Sequence, residues 1–134
     1  MENWLKLEGD VCAVTDALGG MGAEICREFA RNGASVALLD LDQSKVDDAA
    51  RKLGEKYGVR ARGYKMDATS EEEVQAAVDA IVADFGRVDV LVNTAGILRF
   101  APMEELPLSD WKSILDVNLT GYFITSQRFG RQMI

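Results

Sequence analysis

The sequence predicts an α/β fold in which helices cover both faces of a parallel β-sheet. Short apolar runs typical of strands alternate four times with longer runs of helical periodicity along the 134 residues. Most of the strand-like runs are continuously apolar, as expected for strands that are buried on both faces. Strands joined by helices in this way form a doubly wound parallel sheet with right-handed crossovers. The length suits one domain, so residues 1–134 are predicted to form a single unit.

The first two strand–helix units have clear start and stop signals. The first strand is VCAVT, and the helix after it carries Met21, Ile25 and Phe29 at intervals of four. These three residues are expected to face the core, and Gly33 is expected to end the helix. The second strand covers residues 34–40, and the helix after it begins at an N-cap and ends at a glycine. That second helix runs from its N-cap, Asp42, to residue 57, and Gly58 ends it. Its apolar face consists of Val46, Ala49, Ala50, Leu53 and Tyr57.

The third and fourth units follow the same plan. Residues 59–66 form a third strand, which is less apolar and is therefore expected near a sheet edge. Ser70 and Glu73 fit a capping box at the start of the third helix. Residues 88–93 form the fourth strand, and a long last helix begins near Ser109. The expected core-facing positions are Val74, Ala77, Val78, Ile81, Val82 and Phe85 in the third helix and Trp111, Ile114, Leu115, Asn118, Tyr122, Phe129 and Met133 in the last.

Residues suited to ligand binding follow the ends of the predicted strands, which is where doubly wound sheets bind ligands. These ends carry VTDALGGMG after the first strand, Asp40 after the second, Asp67 after the third and residues 93–96 after the fourth. A glycine-rich turn that opens a helix suits a phosphate, because the first helical amides and the helix dipole attract anions. The same glycines would also serve a tight strand-to-helix turn that binds nothing.

Two common phosphate-loop patterns do not fit this turn. The G-x-G-x-x-G pattern would place its third glycine at Ile25, and no Gly-Lys pair exists for a P-loop. Asp40, however, lies 18 residues after Gly22. That is near the spacing at which a carboxylate accepts hydrogen bonds from an adenosine ribose. The alternative is a solvated loop acid, which the fully apolar run before Asp40 disfavours.

Four motifs, in order, resemble the N-terminal half of the short-chain dehydrogenase/reductase family. The family pattern T-G-x-x-x-G-[I/L]-G is matched by TDALGGMG from Thr15, and N-N-A-G is matched by NTAG from Asn93. The acid in KMDAT, Asp67, matches the family's residue facing adenine, and Asn118 lies in the family context V-N-L-x-G. The resemblance runs from about Leu7 onward. It implies a Rossmann-like fold with a bound nicotinamide dinucleotide.

The resemblance also implies which residues contact the cofactor. Gly20 and Gly22 would line the pyrophosphate, and Asp67 would contact adenine. Asn93 and Gly96 would support the cofactor from the fourth strand. Taken alone, Asp67 could equally be an acid that starts a helix or stabilises a turn. The full set expected at the cofactor is Thr15, Asp16, Leu18, Gly20, Met21, Gly22, Asp40, Leu41, Asp67, Ala68, Asn93, Ala95 and Gly96.

Two acids bear on which cofactor binds and how well. Asp40 favours NAD over NADP, because a carboxylate there accepts from the ribose 2′-hydroxyl and repels a 2′-phosphate. No Lys or Arg lies between Thr15 and Gly22 to pair with such a phosphate. Asp16 stands where the family has its first glycine. Asp tolerates left-handed backbone angles better than most residues, but its charge beside a phosphate is expected to weaken NAD binding.

Of the family's catalytic group, which is Ser, a Y-x-x-x-K pair and an assisting Asn, only Asn118 is present. Residues four positions after Tyr57, Tyr64 and Tyr122 are Ala, Ala and Ser. Taken alone, Asn118 could be a polar residue on a solvated helix side, which its apolar neighbours disfavour. We therefore expect the cofactor-binding half of a secondary alcohol/ketone oxidoreductase, truncated after the helix following strand four and inactive alone. The alternative is a non-catalytic module that binds nucleotides or self-associates.

The composition narrows the classes of partner. A net charge of −7 disfavours a nucleic-acid-binding surface. No apolar run is long enough to span a membrane, and the first ten residues lack the apolar core of a secretory signal, so a cytoplasmic location is expected. The chain has no histidine, which excludes histidine-dependent catalysis, and no metal site is expected. Cys12 and Cys26 are expected to be buried free thiols rather than a disulfide.

The last strand and helix are expected to favour self-association. In the complete family fold, further strands and helices cover both elements. Without them, an open strand edge and an apolar helix face would pair with other chains, so a homo-oligomer is expected. Leu98 and Phe100, in the loop after the fourth strand, are candidate contacts for a small-molecule substrate, or simply packing residues.

Overall fold

The computed structural model describes residues 4–134. Residues 1–3, which begin the segment that lacks the pattern of a secretory signal, lie outside the described part. The four predicted strand–helix units are confirmed, in the predicted order. The elements are β1 (Val11–Thr15), α1 (Gly20–Arg31), β2 (Ser35–Asp40), α2 (Gln43–Tyr57), β3 (Ala61–Lys65), α3 (Glu71–Phe85), β4 (Val90–Val92), a 3₁₀ turn (Met103–Glu105), α4 (Leu108–Leu115), a π turn (Asp116–Thr120) and α5 (Gly121–Met133).

The sheet is parallel, and its strand order positions the ligand site. The order is β3-β2-β1-β4, so the chain steps outward on one side of β1 and then crosses to the other side. Val14 of β1 is paired with Leu38 of β2 and with Val92 of β4. The strand order therefore reverses at β1, and ligands of doubly wound sheets bind at this switch point. The expected edge position of the third strand is confirmed.

Alternate residues of the central strands face two apolar clusters on opposite sides of the sheet. Ala13 and Leu39 pack with the helices α3 and α5. Val14 and Leu38 pack with α1 and α2. The largest fully buried side chain of the described residues is Phe129 of α5. Burial on both faces explains why the strands are continuous apolar runs in the sequence.

The predicted buried face of α1 is wrong by one position. Met21 is 72% exposed, and Ile25 and Phe29 are only partly buried. The buried face instead consists of three small residues, Gly22, Cys26 and Ala30. Small side chains allow α1 to approach β1 and β2 closely, whereas Ile25 and Phe29 pack at the sides of the helix.

The helix starts are capped nearly as predicted. Asp42 accepts a hydrogen bond from the Lys45 N–H at 3.1 Å. Ser70 accepts from the Glu73 N–H at 3.2 Å, which confirms half of the capping box. The other half differs, because the Glu73 carboxylate accepts from the N–H of Asp67, at 2.8 Å, rather than from that of Ser70. Glu73 therefore connects the start of α3 to the beginning of the loop after β3.

The last predicted helix is interrupted by the π turn, where the Gly121 N–H donates to the Asp116 carbonyl five residues back. Beyond it, a Cβ on buried Gly121 would lie 3.4 Å from the Cβ of Ala68, so α5 passes close to the loop after β3. The buried face of α5 consists of Gly121, Ile124, Thr125 and Phe129, so the prediction for Phe129 is confirmed. The other predicted core positions are either partly buried, as Ile114, Leu115 and Tyr122 are, or exposed, as Trp111, Asn118 and Met133 are.

Both cysteines are buried and free, as predicted. Burial is the main cause that raises the pKa of each thiol, in Cys12 and in Cys26, to about 12. Among residues 4–134, no helix has the length and apolar character needed to cross a membrane. Over the same residues, no three His, Cys, Asp or Glu side chains cluster in a way that could hold a metal ion.

Candidate functional site

A cleft of about 180 Å³ opens at the carboxyl ends of the strands. The ends of β1, β2 and β3 form its floor, and the loop after β4 and the π turn form one wall. This is the switch point that the strand order defines. Its lining residues are Thr15, Asp16, Leu39, Asp40, Leu41, Met66, Asp67, Ala68, Thr69, Ala95, Gly96, Ile97 and Val117.

The cleft brings together most, but not all, of the residues predicted from the motifs. Eight of the predicted residues line it: Thr15, Asp16, Asp40, Leu41, Asp67, Ala68, Ala95 and Gly96. Six others do not: Leu18, Gly20, Met21, Gly22, Asn93 and Asn118. Five lining residues were not predicted: Leu39, Met66, Thr69, Ile97 and Val117. All five are adjacent in sequence to a residue predicted for the site, so adjacency to the motif residues was the available signal.

The glycine turn forms around Asp16, which has a left-handed backbone with φ +50°. The Gly19 N–H donates to the Asp16 carbonyl at 3.0 Å and closes the turn. A Cβ on Gly22 would overlap that same carbonyl oxygen and would lie 2.8 Å from its carbon. Only glycine fits at position 22, because the backbone of the turn packs directly against its α-carbon.

The side chain of Asp16 folds back over the turn. A Cβ on Gly19 would lie 2.9 Å from the Asp16 carboxyl carbon, so the carboxylate covers the α-carbon of Gly19. Burial, and secondarily the nearby carboxylate of Asp40, raise the pKa of Asp16 above its usual value. The carboxylate thus lies against the turn, partly buried, rather than pointing away from it.

The start of α1 is open to a ligand. Its N-cap is Gly19, and no side chain of the described residues caps the first turn. A Cβ on Gly20 would meet open space within 4 Å. The first amides of a helix have no partner within the helix, so an anion at this position would receive their hydrogen bonds and the positive end of the helix dipole.

Asp40 connects the end of β2 to the turn after β1. Its carboxylate accepts from the Leu18 N–H at 3.0 Å and from the Leu41 N–H at 2.7 Å. Each carboxylate oxygen keeps a further acceptor position. Asp40 is therefore held in a fixed orientation beside the turn while it remains able to accept from a ligand hydroxyl.

Asp67 is positioned by its own local turn. Its carboxylate accepts from the N–H of Thr69 at 2.9 Å and from the Thr69 hydroxyl at 2.7 Å. Its backbone N–H donates to Glu73 at the start of α3. Asp67 therefore does stabilise a local turn, as the alternative interpretation held. The same contacts fix its side chain at the cleft that it lines.

Buried Thr15 attaches the loop after β4 to the end of β1. Its hydroxyl oxygen accepts from the backbone N–H groups of Thr94, at 3.0 Å, and Ala95, at 3.2 Å. The Thr94 hydroxyl donates in return to the Thr15 carbonyl. These three bonds place Ala95 and Gly96 at the wall of the cleft.

The two asparagines of the motifs bind other parts of the chain. Asn93 accepts from the Thr125 hydroxyl at 2.8 Å and donates to that of Ser126 at 3.2 Å, so it joins β4 to α5. Asn118, in the π turn, uses both of its amide groups on the backbone of Ile97, at 2.8 Å each. Asn118 is exposed, as expected for a polar residue on a solvated helix side. Both groups of its side-chain amide nevertheless form hydrogen bonds with Ile97.

The donor set fits a dinucleotide with one exception. An uncapped helix start suits a diphosphate, Asp40 suits a ribose hydroxyl, and Asp67 suits the amino group of a base. The exception is charge: the described lining includes Asp16, Asp40 and Asp67 but neither Lys nor Arg. An anionic ligand in this cleft would rely on backbone amides alone for its neutralisation.

Known proteins are similar in sequence to most of this chain. The sequence profile of the family described as short chain dehydrogenase matches residues 10–134. A D-threitol dehydrogenase of Mycolicibacterium smegmatis is 44% identical over 129 residues, covering 96% of this chain and 49% of that protein. The chain spans about half the length of the curated relatives it matches.

Solved structures show the same fold. The structure titled NAD⁺-bound xylitol dehydrogenase matches with a TM-score of 0.90 and 41% identity, covering 96% of this chain and 49% of that one. An NADPH-dependent 3-quinuclidinone reductase from Rhodotorula rubra matches with a TM-score of 0.88 and 28% identity, covering 97% of this chain and 49% of that one. The neighbours therefore include proteins whose titles name either nicotinamide cofactor.

Proposed function

We propose that this chain, which belongs to the short-chain dehydrogenase/reductase family, is the cofactor-binding domain of an NAD-dependent oxidoreductase. The family binds NAD or NADP, and the choice of NAD rests on Asp40. Its carboxylate is fixed by the Leu18 and Leu41 amides at the mouth of the cleft. A second negative charge at that position, the 2′-phosphate of NADP, would be repelled with no lining cation to offset it.

Each part of the cleft has a defined task in this proposal. The amides at the start of α1 would bind the diphosphate, and Asp40 would accept from the adenosine ribose. Asp67 and Ala68 would border the adenine, while Ala95 and Gly96 would support the cofactor from β4. The bound cofactor would supply the hydride acceptor or donor. The residues of this chain orient it and exclude water from one side of it.

The proposed substrate class is a polyol or the corresponding ketose. The family reaction is an exchange between a secondary alcohol and a ketone. The relative named D-threitol dehydrogenase and the structural neighbour titled xylitol dehydrogenase both act, by name, on sugar alcohols. Ile97 lines the cleft and Leu98 and Phe100 beside it are largely exposed, so these apolar side chains are available to border a substrate.

Residues 1–134 are proposed to bind the cofactor without turning over a substrate alone. None of the chain's three tyrosines is followed by Lys four positions later, so the family's proton-transfer pair is not formed within these residues. Asn118 is the residue of this chain that we propose belongs to the catalytic group of the complete enzyme. Its present role is to hold the Ile97 backbone at the edge of the cleft.

Calorimetric titration with NAD and NADP tests the cofactor proposal. We expect saturable binding of NAD and weaker binding of NADP. In the variant Asp40→Asn, which keeps an oxygen acceptor but removes the charge, the two affinities are expected to converge. Absence of binding of both dinucleotides by a folded protein would refute the proposal. Equal affinities in the unmodified protein would refute the preference for NAD.

We also propose that the chain forms a homo-oligomer. Self-association is the basis of the second candidate function, that of a non-catalytic module. Large apolar side chains are exposed along the last helices: Leu108 (65%), Trp111 (46%), Leu119 (65%) and Phe123 (63%). β4 pairs with β1 alone among the described strands. Sedimentation of Phe123→Glu beside the control Trp4→Glu, a residue 74% exposed and before β1, tests this surface. Dissociation by the first substitution only is expected, and a monomeric unmodified protein would refute self-association.

A further inference from the structure

Asp16 gives the cleft an ionisable group beside the start of α1. The turn fixes its backbone, since the Asp16 carbonyl is held by the Gly19 N–H and covered by Gly22. The carboxylate lies over the α-carbon of Gly19, one residue before the first amide of α1. A diphosphate bound by those amides would therefore be within a few ångströms of the carboxylate.

The charges that face Asp16 are all of one sign. Asp40 approaches from the end of β2, where it contacts the Leu18 amide of the same turn. Asp67 lines the same cleft from the end of β3. On α1, the nearest base in sequence, Arg27, pairs with Glu24 at the solvent surface. No cation of the described residues lines the cleft, so no side chain there favours the charged form of Asp16.

A carboxylate in such a place responds to an arriving anion by binding a proton. Burial in the turn and the Asp40 carboxylate already raise its pKa in the free protein. Each further negative charge nearby raises the pKa of a carboxyl group again. A protonated Asp16 would also gain an O–H donor, which a phosphate oxygen can accept.

We propose that Asp16 takes up one proton from solvent when the dinucleotide binds, so that cofactor affinity rises as the pH falls. This inference rests on the proposed cofactor function and extends it to the control of affinity. The proton resides on a carboxyl oxygen of Asp16 and is released to solvent when the cofactor leaves. The chain would thus hold its cofactor more tightly in a mildly acidic environment than in an alkaline one.

The test is calorimetric titration with NAD from about pH 5 to about pH 8, repeated in two buffers of different ionisation enthalpy. A difference in the observed heat between the buffers measures proton uptake directly. For uptake of one proton, affinity changes by up to about tenfold per pH unit. The phosphodiester groups of NAD do not titrate in this range, so the protein is the source of the effect.

Asp16→Asn is the decisive variant, because Asn keeps the shape and the tolerance of a left-handed backbone while losing the charge. We expect it to bind NAD roughly tenfold or more tightly at neutral pH, with no proton uptake. The matched control is Asp79→Asn, which removes the same charge from the exposed face of α3. It should keep the affinity and the pH dependence of the unmodified protein.

The outcomes separate this inference from the proposed function. If Asp16→Asn binds NAD but retains the proton uptake, another group titrates and the inference is wrong while the function stands. If the unmodified protein binds NAD without proton uptake, the inference is again wrong. If neither protein binds NAD at any pH, the proposed function fails, and this inference fails with it.

Discussion

Substitution of Gly22 by Ala should break the turn on which the site depends. The added Cβ would overlap the Asp16 carbonyl oxygen and would lie 2.8 Å from the Asp16 carbonyl carbon and 3.1 Å from the Ala17 α-carbon. All three are backbone atoms, so no side-chain rotation relieves the contact. Overpacking of this kind costs about 1–3 kcal/mol, which exceeds the roughly 0.5–1 kcal/mol that Ala gains over Gly in a helix.

Gly20→Ala provides the matched control, because it makes the same chemical change in the same helical turn. A Cβ at Gly20 meets nothing within 4 Å, and the residue is exposed. This variant should fold normally and be as stable as the unmodified protein, or up to about 0.5 kcal/mol more stable. The pair therefore separates the effect of the contact from the effect of losing a glycine.

Thermal and urea unfolding followed by circular dichroism measure the difference. We expect the melting temperature of Gly22→Ala to fall by about 3–8 °C, since 1 kcal/mol corresponds to about 3–5 °C for a domain of this size. NAD affinity should fall as well, because the start of α1 must move. Equal melting temperatures for Gly22→Ala and Gly20→Ala would refute the packing argument.

Four further results are expected. Thr15→Val should lower the free energy of unfolding by about 1–3 kcal/mol because it leaves two N–H groups of the loop after β4 without their acceptor, and Thr15→Ser should not. Asp40→Asn should narrow the ratio of NAD to NADP affinity by roughly tenfold or more, since like charges about 5 Å apart repel by about 1–3 kcal/mol. Cys12 and Cys26 should not react with a thiol reagent at about pH 8 until the protein unfolds, because both are buried and mostly protonated. Because burial and Asp40 raise the pKa of Asp16 in the folded state, its contribution to stability is present in acid and is lost as the pH rises through that pKa. Urea unfolding should therefore show Asp16→Asn to be more stable than the unmodified protein at neutral pH, with the difference vanishing in acid.

The element order followed from the sequence because each boundary carries a local signal. Asp42, Ser70, Gly58 and Gly86 act where they were expected, as N-caps and as left-handed glycines that end helices. These signals depend on a few neighbouring residues and not on the rest of the fold. They are therefore readable without the structure, and the parallel sheet follows from the alternation of elements.

The errors arose where packing depends on distant residues. Large apolar side chains at Met21 and Phe29 suggested the buried face of α1, but the sheet accepts the small face that includes Gly22. That face packs against the sheet through Cys26 and Ala30 and against the Asp16 backbone at Gly22. The π turn is a second case, because one inserted residue has no compositional signature. It also explains why Val117 in the cleft wall was not predicted.

The cleft itself was predictable to the extent that its residues follow strand ends. Asp40 and Asp67 occur at such ends, and both line the cleft. Residues of the same motifs with other contacts were indistinguishable from them in the sequence. Asn93 has the motif position of a cofactor contact, yet its amide joins β4 to α5. A motif thus marks residues that the fold needs as well as residues that a ligand would touch.

Asp16 shows why the ability of the turn to form and its affinity for an anion are separate properties. The turn requires a residue with positive φ, a carbonyl that accepts from Gly19, and a bare α-carbon at Gly22. All three requirements are met with an acid at this position, because they concern the backbone. The charge of the ionised carboxylate lowers stability above the raised pKa and would repel a bound anion, but it leaves these backbone contacts in place. An acid in place of the family's glycine therefore leaves the turn intact, and we propose that it makes cofactor binding depend on pH.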